Sequence, residues 1–140
     1  MINQLNKIIY DLLDEAMLAA EVSKGNDGSI TATIARHPNG DIGITSENSE
    51  ITVFGLGCHS HFSSSQLNLE EIMAQRDQFT GLLIGLTKGN VYCCGVYGEN
   101  MKPLCGGFIE SKGDEIEIDA IQENYKKIVL RRYMPQCPNK

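Results

Sequence analysis

The sequence predicts an α/β domain in which helices flank a mixed, largely antiparallel sheet, and three observations lead there. Apolar residues near the N-terminus recur at the three-and-four spacing of one helical face; short β-type runs follow, divided by Gly, Asn and Pro; and the elements alternate between helical and strand-like blocks. A chain of 140 residues is long enough for one buried core and too short for two ordinary ones, so a single domain spanning residues 1–140 is expected.

The first element is a long amphipathic helix from Ile2 to about Ala20, with Leu5, Ile8, Ile9, Leu12, Leu13 and Met17 on one side. Ser23-Lys24-Gly25-Asn26-Asp27-Gly28 supplies a helix stop and a turn. Ile30 to Arg36 and Ile42 to Ser46 read as strands joined at Pro38-Asn39-Gly40-Asp41, a β-hairpin. Glu50 to Cys58 reads as one strand that delivers Cys58-His59-Ser60-His61 at its C-terminal end. The polar stretch Ser63 to Asn68 precedes a helix from Leu69 to about Phe79. Gly81 to Thr87 and Val91 to Tyr97 read as strands joined at Lys88-Gly89-Asn90, with further short strands at Leu104 to Ile109 and Glu115 to Ile118. Asp119 to Tyr133 closes the chain as a helix.

Composition excludes several classes of function. A net charge of -6 and a pI near 5.0 argue against a nucleic-acid partner, which needs a basic face. Lys126, Lys127, Arg131 and Arg132 are the one basic cluster, expected on a solvated helix face. No apolar run approaches a membrane span, and the first fifteen residues carry acids where a signal peptide has an unbroken apolar stretch, so a cytoplasmic protein is expected. Five cysteines without regular spacing predict reduced thiols rather than a disulfide framework, with Cys93 and Cys94 as small buried apolar residues.

The chemistry concentrates in Gly57-Cys58-His59-Ser60-His61-Phe62. Residues two apart on a strand face the same side, roughly 6.5–7 Å apart along the backbone, so both imidazoles can reach one ion. Zinc takes neutral imidazole, and a catalytic zinc has three protein ligands and an open place for water. This H-x-H, followed by Ser63-Ser64-Ser65 and Asn68-Leu69-Glu70-Glu71-Ile72, resembles the signature of the JAMM or MPN-domain zinc metallopeptidases, an H-x-H-P, a loop and an S-x-x-D at a helix start. The resemblance implies an MPN/JAB-like (cytidine-deaminase-like) sandwich, with zinc as cofactor. Activity would be hydrolysis of a peptide or isopeptide bond in a protein or peptide substrate, a ubiquitin-like modifier among the candidates.

Carried over residue by residue, the resemblance makes His59 and His61 metal ligands and puts Glu71 in the place of the aspartate ligand. Asn68, or Ser65 in the loop, would stabilise the oxyanion. Glu21 occupies the position of the glutamate that takes the water's proton. The chain departs from the pattern at Phe62, which replaces proline, at Glu71, which replaces aspartate, and in a loop one residue shorter. Glu71 is equally well read as the N3 partner of an Asn68 helix cap, and Glu21 as a charge on the last turn of the first helix. Asp77 would face another side of its helix. Glu50 is the rival base, but on one continuous strand it falls on the face opposite His59. Cys58 as a thiol nucleophile is poorly served by a neighbouring His59 that points the other way. A metal-free MPN-like binding or scaffold domain is the alternative.

Overall fold

In the computed structural model, residues 2–62, 69–97, 99–101, 103–110 and 127–133 are described. The amphipathic pattern at the N-terminus forms helix α1 (Ile2–Glu15), whose Leu5, Ile8, Ile9, Leu12 and Leu13 are buried. It ends earlier than the periodicity indicates. Met17 adopts φ 54°, the Leu18 N–H bonds to the Leu13 carbonyl (2.9 Å) and the Met17 N–H to Asp14 (3.1 Å), the Schellman closure usually made by glycine.

The chain then forms an antiparallel meander: β1 (Glu21–Lys24), β2 (Ile30–Ala35), β3 (Ile42–Thr45), β4 (Thr52–Gly55) and β5 (Cys58–His61), paired in sequence order in one five-stranded sheet. Strand β1 replaces the expected helix end and turn. It is a short edge strand exposed at all four residues, so it shows no alternation of burial to betray it. The expected strand from Glu50 to Cys58 is two strands. It reverses at Leu56 and Gly57, both with positive φ (56° and 87°), as the two central residues of a type I′ hairpin turn have.

Register places Ala32, Ile44, Val53 and Ser60 in one row on the inner face, and Thr31, Thr45, Thr52 and His61 in a row on the outer face. Ile30, Ala32, Ile42, Ile44, Ile51 and Val53 are buried in the core with the apolar face of α1. A polar clasp fixes the helix to the sheet: Asn6 donates to the Gly28 carbonyl (2.8 Å) and accepts from the Ser46 hydroxyl (2.6 Å), which accepts from the Ile30 N–H (3.0 Å).

Helix α2 (Leu69–Ala74) and helix α3 (Arg76–Lys88) take the place of one predicted helix and the strand at Gly81 to Thr87. Leu82-Leu83-Ile84-Gly85-Leu86 is a continuous apolar run that fits either state, and burial of Phe79, Leu83 and Leu86 at helical spacing decides for the helix. Gly89 closes it with φ 77°. A Cβ on Gly85 would lie 2.6 Å from Val91, so glycine lets α3 lie close to the next strand.

The second sheet is antiparallel, in the order β7 (Pro103–Glu110), β6 (Val91–Tyr97), β8 (Lys127–Arg132). The end of the expected C-terminal helix is therefore a strand. Its earlier part, and the strand expected at Glu115 to Ile118, lie outside the described residues. All strand pairs among the described residues are antiparallel, where a mixed, largely antiparallel sheet was expected. Helix α3 packs on β3, β4 and β6, and β5 lies beside β7, which joins both sheets around one core among the described residues.

Cys58 and Cys93 form a disulfide between β5 and β6, with Cα atoms 6.1 Å apart. This corrects the expectation of reduced thiols. The partners are 35 residues apart in sequence, and a pairing made by tertiary packing leaves no spacing signature.

Candidate functional site

The two histidines stand on the outer face of β5, at the edge of the first sheet, while Cys58 and Ser60 alternate to the inner face. Two backbone contacts hold this hairpin end in place. The Leu56 N–H donates to the Gly40 carbonyl (3.1 Å), and Gly40, at φ 132°, lies so close that a Cβ would fall 2.4 Å from the Gly57 nitrogen. Only glycine allows the turn between β2 and β3 to pack against the β4–β5 turn so closely. Phe62, just past the histidines, is buried edge-on to Phe79 of α3 at 5.5 Å between ring centroids.

The imidazoles of His59 and His61 meet edge to face, with centroids 4.8 Å apart and planes at 71°. His61 Nδ1 lies 2.7 Å from Glu50 Oε1 and 2.9 Å from Thr52 Oγ1. Thr52 is the cross-strand partner of His61, and Phe54 of His59. Glu50, two residues before Thr52, therefore sits on the histidine side. The expectation that it points away is corrected, because the reversal at Leu56-Gly57 changes the parity that a continuous strand would impose.

Glu21 is not brought to this site. It lies in the same cross-strand row as His59, through Thr33, Gly43 and Phe54, but on β1 at the opposite edge. Four strand spacings separate them, about 19 Å. There its carboxylate accepts from Arg36 (2.7 Å), which also bonds Asp41 (2.8 Å); these two carboxylates, Glu21 first, hold the Arg36 guanidinium above its ordinary pKa. Glu71 is exposed in the first turn of α2. Among the described residues no three of His, Cys, Asp and Glu gather closely enough to hold a metal ion, so Glu71 does not complete a set with the histidines. Ser65 and Asn68 lie outside the described residues.

The remaining candidates have structural work. His37 accepts the Asn39 N–H at Nδ1 (3.1 Å) within the β2–β3 turn. Arg132 lies over the Tyr92 ring, 5.3 Å from its centroid, and donates to the Tyr92 hydroxyl (3.0 Å), so this part of the basic cluster sits on a strand rather than a helix face. Cys58 is bonded to Cys93 and is not a nucleophile in this state.

Both rings share a face and are exposed, and imidazole is a ligand type that zinc accepts. The third ligand and the base of a JAMM centre are not supplied by the described residues. Thr52 is the site residue that reading the sequence missed, and Glu50 the one it set on the wrong face; the Gly55-Leu56-Gly57 triplet was the turn signal that pointed to both. No helix among the described residues is long and apolar enough to cross a membrane. Comparison of the chain with protein-family models, with curated proteins and with solved structures finds no match.

Proposed function

We propose that the protein is a zinc-dependent hydrolase of peptide or isopeptide bonds, with its metal held by His59 and His61. The single observation that carries this reading is the exposed, same-face pair of imidazoles at a hairpin edge, one of them backed by a carboxylate. When bound, zinc lowers the pKa of its water and polarises a carbonyl. The chain's own part is to hold two imidazoles side by side on one exposed strand face. Glu21, bonded to Arg36 at the other edge of the sheet, is left out of this centre. The substrate class is that implied by the JAMM resemblance, a protein or peptide, a ubiquitin-like modifier included. The Cys58–Cys93 disulfide favours an oxidising compartment over the cytoplasm as the place of work.

A second reading is an MPN-like binding or scaffold domain without metal. It is favoured by the two carboxylates of the JAMM pattern that do not join the histidines, Glu21 and Glu71. Metal analysis of the purified protein and of the His59→Ala, His61→Ala double variant separates the two. The hydrolase reading expects about one zinc per chain in the wild type, none in the double variant, and cleavage of an isopeptide-linked substrate by the wild type alone. A wild type that binds no zinc leaves the scaffold reading standing.

A further inference from the structure

His61 is engaged at Nδ1 by two neighbours, Glu50 Oε1 at 2.7 Å and Thr52 Oγ1 at 2.9 Å. A hydroxyl next to an imidazole nitrogen leaves the tautomer open, because either group can donate. An ionised carboxylate can only accept. A carboxylate oxygen 2.7 Å from Nδ1 favours a proton on that nitrogen. We infer that Glu50 is a positioning residue for the candidate metal site: it holds the His61 proton on Nδ1, with Thr52 beside it, and so presents an unprotonated Nε2 as the atom that binds metal. The purpose of this arrangement rests on the zinc reading above; its geometry does not.

The backbone makes the arrangement specific. Thr52 is locked opposite His61 by the β4–β5 register, and Glu50 follows the short turn Glu47–Ser49 in extended conformation (φ -141°, ψ 162°) on the same face. The Glu50 side chain is only 24% exposed, so its contact with His61 is partly shielded from water. A histidine that donates its second N–H to a carboxylate has a fixed ring orientation and a more basic ligand nitrogen, and loss of such a partner weakens metal binding about 10- to 100-fold.

The test needs no activity. In ¹⁵N-imidazole spectra of the metal-free protein, recorded where the histidines are neutral, wild-type His61 is expected to carry its proton on Nδ1. In Glu50→Ala the proton should move to Nε2, the form a peptide imidazole prefers, while the His59 signals stay in place and report an intact hairpin. Should that variant fail to fold, Glu50→Gln keeps the size of the side chain; its amide can accept or donate, so both tautomers should appear. Zinc titration against a chromophoric chelator should show affinity about 10- to 100-fold weaker in either variant. A wild-type proton on Nε2, a tautomer unchanged in the variants, or an unchanged zinc affinity overturns the proposal. A wild type that binds no zinc sinks the function proposed above, and the tautomer still decides the role of Glu50.

Discussion

Met17 and Leu56 share a backbone conformation that side chains rarely adopt, with φ of 54° and 56°, yet replacing them by glycine should have opposite effects. The left-handed conformation costs about 1–2 kcal/mol for a residue with a Cβ, and glycine's extra chain entropy offsets roughly 0.5–1 kcal/mol of the relief. Met17 is 88% exposed and loses little else, so Met17→Gly should stabilise the fold by about 0.5–1 kcal/mol. Leu56 is fully buried, and removing its side chain costs about 2–5 kcal/mol, which exceeds the strain released. Leu56→Gly should therefore destabilise. Denaturant unfolding of both variants checks the pair, and a stabilised Leu56→Gly would show that the turn, not the core, dominates there. At this scale the sequence was most legible for the histidines, whose shared face follows from strand geometry alone. It was least legible for Glu50, whose position depends on a reversal between it and its partner.

Turns determine what the elements of this fold can present. Asp27 accepts the Ser29 hydroxyl (2.6 Å) and N–H (3.0 Å) in the turn before β2, and these bonds, the hydroxyl first, hold its carboxyl below the ordinary 3.8. Asp41, which accepts the His37 N–H and bonds Arg36 in the next turn, is lowered likewise. A carboxyl whose folded-state pKa is depressed stabilises the fold above its unfolded value and loses that contribution as pH falls through the folded value. Stability should thus fall with acidification below about pH 3.8, and Asp27→Asn should flatten that decline when melting is followed across pH 2–5. Gly40 sets the spacing of the two turns next to the histidines. Gly40→Ala should cost about 1–3 kcal/mol or more in chemical denaturation and shift the His59 and His61 resonances, since the Leu56-Gly57 backbone must move. Helix α1 was readable because a single amphipathic face needs only its own periodicity. The part of helix α3 from Gly81 to Thr87 was misread as a strand because its run of apolar residues carries no period of its own, and β1 was missed because an exposed edge strand has no buried face.

Across the whole molecule, the Cys58–Cys93 bond ties the histidine strand to the second sheet. Closing a loop over a separation of 35 residues is worth about 2–4 kcal/mol. Reduction, or Cys58→Ser, should lower the melting temperature by roughly 5–15 °C for a chain of this size. Alkylation of denatured, unreduced protein should leave Cys58 and Cys93 unmodified; labelling of both would remove the tether. By itself the sequence determined an α/β protein with an amphipathic first helix, a β-hairpin after it and two imidazoles on one strand face, because these depend on local periodicity and turn chemistry. Tertiary structure alone decided which carboxylate meets those imidazoles. Glu21 resembled the base by its place in the chain, but five strands in sequence order put it at the far edge, whereas the hairpin reversal folds Glu50 back onto His61. Proximity between side chains distant in sequence is set by register and strand order, and neither is written in the spacing of the residues themselves.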